Sequence, residues 1–141
     1  MTYYEDHSPY VYMRDTVPDG ITALNIGWLD ETKEFPRGTA PDGFTEALSR
    51  LCLRAPHAKT RGWHACALPH DVPGTNSPVT VTADGRTLML GTAEVRVVSA
   101  DGVWLAAPDL VLHYVTDHGY LPPADFIEAV LSGRDAPHEA V

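Results

Sequence analysis

Alternation of apolar and polar positions predicts a strand over residues 22–29, with Leu24, Ile26 and Trp28 on one face. Four shorter alternating runs follow at 79–82, 87–90, 93–99 and 103–106. Asp84-Gly85 lies between the first two and Asp101-Gly102 between the last two, and both pairs are hairpin turn signals. Spacings of three and four mark helices instead. Phe44, Ala47, Leu48 and Leu51 form one such stripe. It is preceded by Thr39 as a cap, Pro41 at an early position and Asp42 three residues after the cap, and the helix should stop before Pro56. Residues 108–118 carry Leu110, Val111, Tyr114 and Val115 on one stripe and end at Gly119. Residues 123–132 carry Phe126, Ile127, Val130 and Leu131 and end at Gly133. The predicted class is α+β, an antiparallel β-meander of about four to five strands packed with about three helices. Its core should contain Trp28, Leu48, Leu51, Val95, Val97, Leu110, Tyr114, Phe126 and Val130. Alternation sends Glu94 and Arg96 together to the opposite, solvent side of their strand.

A length of 141 residues is that of one domain, with 1–20 expected as an extended arm rich in tyrosine and 134–141 as a tail. Apolar residues make up 44% and charged residues 21%, enough to bury a core. No apolar run approaches the ~20 residues of a membrane span, and the N-terminus lacks a basic and apolar leader. With only two cysteines, Cys52 and Cys66, reduced thiols in the cytoplasm are the expectation. The net charge of −9 argues against nucleic acid as a partner. Its distribution changes the picture, because residues 35–70 hold five bases against two acids. That basic island would steer a small anionic ligand, while the acidic remainder suits a protein partner, as in an immunity or adaptor protein.

The island also contains both cysteines together with His57, His64 and His70. Imidazole and thiolate are the donors zinc prefers, so His64, Cys66 and His70 are candidate ligands in the 57–71 loop, with Cys52 or His57 as a fourth. The same residues allow a second chemistry, in which Cys66 is a nucleophile paired with His64 or His70 and an acid. The residues alone do not decide between a binding protein and a small enzyme of specialised metabolism. Asp109, His113 and Asp117 recur at i, i+4 and i+8, the pattern of a solvated helix ladder. His113 and His118 are five apart, a rotation of roughly 140°, which predicts that they cannot share one metal from the helix alone.

The order of segments resembles a family of small bacterial proteins, widespread in actinobacteria, known as a domain of unknown function. The resemblance rests on Tyr4-Glu5-Asp6, Leu24-Asn25-Ile26-Gly27-Trp28, Thr60-Arg61-Gly62 before His64 and Cys66, and the stretch from Ala106 to Ile127. It implies one domain along nearly the whole chain. It also implies His-x-Cys-x-x-Cys in the middle loop, from which this chain departs with Pro69 in place of the second cysteine and His70 beside it. Either His70 replaces a thiolate ligand or that site has been lost.

Overall fold

The computed structural model describes residues 3–54, 66, 68, 80–83 and 85–137. The chain forms β1 (Ala23–Asn25), α1 (Phe44–Arg54), β2 (Thr80–Ala83), β3 (Arg86–Met89), β4 (Glu94–Val98), β5 (Trp104–Pro108), α2 (Val111–His118) and α3 (Ala124–Leu131). The fold is α+β, with five strands and three helices among the described residues. Both expected hairpin pairings are present: β2 runs antiparallel to β3 and β4 to β5. They belong to two sheets, however, because β5 uses its second edge to pair with β1 in parallel, giving the order β1-β5-β4.

Three boundaries differ from those read in the sequence, each for a local reason. The first helix starts at Phe44 instead of Thr39, since Gly43 sits at φ +83°, outside helical space, and Phe44 N–H closes a turn onto Pro41 O. Pro108 ends β5 opposite Glu94, and the helix begins only after the Asp109-Leu110 turn. Of the strand expected over 22–29, only Ala23–Asn25 forms a ladder, with an isolated bridge from Trp28 to Tyr4 beyond Gly27, which at φ +73° turns the chain over. Leu24 and Ile26 therefore face one core and Trp28 the other. No side chain fits at Gly27, where a Cβ would lie 2.9 Å from Val111 Cγ2.

The central sheet is buried on both faces. Val95, Val97, Leu105 and Ala107 point toward Phe44, Leu48, Leu51, Leu110, Tyr114, Phe126 and Val130 of the helical layer. The next residues along the same strands, Val98, Trp104 and Ala106, point toward Tyr10, Val17 and Trp28. The N-terminal segment thus supplies the second cover, and it also borders β1 through Asn25 N–H to Ser8 O (2.8 Å) and Tyr10 N–H to Ala23 O (2.9 Å). Residues 134–136, expected to belong to a tail, lie along the outer edge of β4, with Val98 N–H bonded to Arg134 O and Ala136 N–H to Arg96 O.

Every residue of the predicted core is buried, and Leu110 is 0% exposed between β5 and α2. Leu110→Ala should accordingly destabilise the protein by about 2–5 kcal/mol, read from urea midpoints. An unchanged midpoint would mean that the α2 face has been misplaced.

A Cys/His cluster at the end of α2

Cys66, His113 and His118 come together where α2 ends, with one donor atom from each lying within 4.8 Å of the others. His118 Nε2 is 3.2 Å from His113 Nε2 and 3.5 Å from Cys66 Sγ. The helix brings its two imidazoles together despite their angular separation. Helical side chains lean toward the N-terminus, so the ring of His118 folds back over the preceding turn and meets His113 edge-on at 4.9 Å between centroids. The expectation that these two histidines cannot share a ligand is corrected on that ground. It treated the backbone angle as if it fixed the positions of the ring nitrogens.

His118 is held from outside the cluster as well. Gly119, in the left-handed conformation, ends the helix and returns its N–H to Tyr114 O. Gly38 N–H bonds to Gly119 O at 3.0 Å, and the Arg37 guanidinium donates to His118 O at 3.1 Å. The predicted helix stop and one arginine of the basic island therefore fix the backbone that carries one donor.

Cys66 is 1% exposed. Burial, together with the Asp117 charge, pushes its thiol above the usual range, although a backbone hydrogen bond near Leu68 pulls the other way. An activated nucleophile needs the opposite shift. Cys52, named above as a fourth ligand, lies instead on the core side of α1, where burial raises its thiol too, and it is not part of the cluster. Neither cysteine is in a disulfide. The other candidates, His57, His64 and His70, lie outside the described residues.

The expected charge ladder on α2 is buried for most of its length. Asp109 is 3% exposed and its Oδ1 accepts Gly91 N–H at 2.6 Å. Burial outweighs this and three further backbone hydrogen bonds, and its pKa rises to about 6 from an ordinary 3.8. A carboxyl that binds its proton more tightly when folded stabilises the fold below pH 3.8 and has lost that contribution above about pH 6. The loss amounts to about 3 kcal/mol. Asp109→Asn should flatten this part of the stability profile, measured as the change in urea midpoint between acid and neutral pH. An equal slope in the variant would assign it to other groups.

Sequence reasoning missed a second polar cluster. Glu94 and Arg96 are 3% and 1% exposed, not at the surface. Their alternation was read correctly, but the face they share is the one covered by the N-terminal segment. Arg96 Nη2 lies 2.9 Å from Glu94 Oε1, 3.0 Å from Tyr10 OH and 2.7 Å from Thr16 Oγ1. Tyr10 OH in turn donates to Glu94 Oε2 at 2.7 Å. The only sequence signal was a pair of opposite charges two residues apart in an apolar strand.

The molecule is therefore a small α+β protein with a Cys/His cluster able to coordinate a metal ion, and no helix among its described residues is long and apolar enough to cross a membrane. The chain belongs to the family described as Domain of unknown function (DUF7919), whose family model matches residues 2–131. No curated protein and no solved structure matches it.

Proposed function

We propose that this protein is a zinc-binding accessory domain in which Cys66 Sγ, His113 Nε2 and His118 Nε2 hold the ion. The observation that carries this reading is the spacing of the donors. Tetrahedral zinc with Zn–N near 2.05 Å and Zn–S near 2.3 Å separates two nitrogens by about 3.3 Å and a nitrogen from a sulfur by about 3.6 Å. The separations here are 3.2 Å and 3.5 Å. His64 and His70, close to Cys66 in the chain, are the proposed sources of a fourth ligand.

The role is that of a tie. The ion would join the segment between α1 and β2 to the C-terminal end of α2, as structural zinc sites join elements too small to hold each other by packing. A Cys66 nucleophile would have to meet its substrate, and Cys66 is 1% exposed. A cytoplasmic setting fits two free cysteines.

Elemental analysis of the purified full chain tests the reading. Close to one zinc per chain is expected, lost in Cys66→Ser and in His113→Ala. Protein that arrives without zinc and takes up neither zinc nor cobalt on titration would sink the proposal, as would variants that bind as well as wild type.

A further inference from the structure

Resting on the zinc reading, we infer that Asp117 is the positioning residue of this site: its carboxylate fixes the tautomer of His113 that presents Nε2 to the metal. His113 Nδ1 lies 3.2 Å from Asp117 Oδ2, one helical turn along α2. A carboxylate oxygen can only accept, so the imidazole proton resides on Nδ1 and the lone pair on Nε2. Nε2 is the atom that faces His118 and the cluster. The tautomer with its proton on Nε2 cannot ligate through that atom.

The carboxylate is itself oriented. Its other oxygen, Oδ1, accepts the Thr116 hydroxyl at 2.9 Å, so both oxygens have assigned roles. The acid one turn earlier, Asp109, accepts Gly91 N–H through its Oδ1. The i, i+4 spacing makes the His113–Asp117 contact a property of the helix, present before any metal arrives. Outer carboxylates of this kind also raise the basicity of the ligating imidazole and slow release of the ion.

Zinc affinity of the full chain, measured by competition with a chromophoric chelator, tests the assignment. Asp117→Ala should bind zinc about 10–100-fold more weakly than wild type. Asp117→Asn, which can still accept the Nδ1 proton but without charge, should fall between the two. In all three proteins cobalt should give the same thiolate-to-metal charge-transfer band, because the inner ligands are unchanged. Metal-free Asp117→Ala should melt somewhat below wild type, since it removes the carboxylate from the buried His113 Nδ1, so affinities are compared where all three proteins are folded. Affinity of Asp117→Ala within roughly twofold of wild type overturns the inference and leaves zinc binding standing. A changed cobalt d–d spectrum in Asp117→Ala with the thiolate band retained also overturns it, by making the carboxylate part of the inner set. If wild type takes up no metal, the zinc reading fails first and this inference falls with it.

Discussion

Glu94→Gln should destabilise the protein by about 3–5 kcal/mol, because it leaves the Arg96 guanidinium buried without its counter-charge. Arg96 is 1% exposed and directs Nε and Nη2 at Glu94 Oε1, so little water can take the place of the carboxylate. Removing both charges should cost far less than removing one, since two desolvation penalties vanish together, and Glu94→Leu/Arg96→Met is the informative double variant. Burial pushes the Glu94 carboxyl up, while Tyr10 and Arg96 beside it pull it down. Equal urea midpoints for wild type and Glu94→Gln would show that the pair is solvated in solution.

That pair also marks where the sequence stopped being legible. Period two in β4 correctly assigned Val95 and Val97 to one side and Glu94 and Arg96 to the other. What lies against the second side depends on Tyr10, 84 and 86 positions away in the chain, and no local pattern encodes a contact at that distance. Features set within a few residues were read well. Gly85 and Gly102 turn the two hairpins, and Gly119 and Gly133 stop the last two helices, each at positive φ. The start of α1 was missed because a plausible cap at Thr39 competed with Gly43, and a left-handed glycine inside the first turn outweighs a favourable cap.

The cluster was half legible. Ligand chemistry alone drew attention to Cys66, and helix spacing drew attention to His113, Asp117 and His118. The rotation argument placed the imidazoles by their backbone angle, although a histidine carries its nitrogens well beyond the Cβ and can lean along the axis by most of a turn. Proximity in the chain points to partners near Cys66, whereas the described donors reach it from α2, 52 positions away in the case of His118. Short spacing is a good guide to zinc motifs that fold around one turn and a poor one to a tie between distant segments.

Stripping the metal should lower the melting temperature of wild type and leave Cys66→Ser nearly unmoved. An ion that binds only the folded chain stabilises it by RT ln(1 + [L]/Kd), about 4 kcal/mol at free zinc a thousandfold above Kd. For a protein of this size that corresponds to a shift on the order of 10 °C. The comparison must be made within each protein, with and without chelator, because Cys66 is itself buried and serine in its place has a packing cost independent of metal. That cost lowers both Cys66→Ser values equally, and only the metal-dependent difference reports the site. His113→Ala serves as the second arm, since it removes a donor from α2 and leaves the thiol intact. Both variants should lose the chelator response, and returning zinc should restore the melting temperature of wild type alone. A wild type that melts at the same temperature with and without chelator, while elemental analysis finds zinc at one per chain, would place the ion somewhere other than on Cys66, His113 and His118.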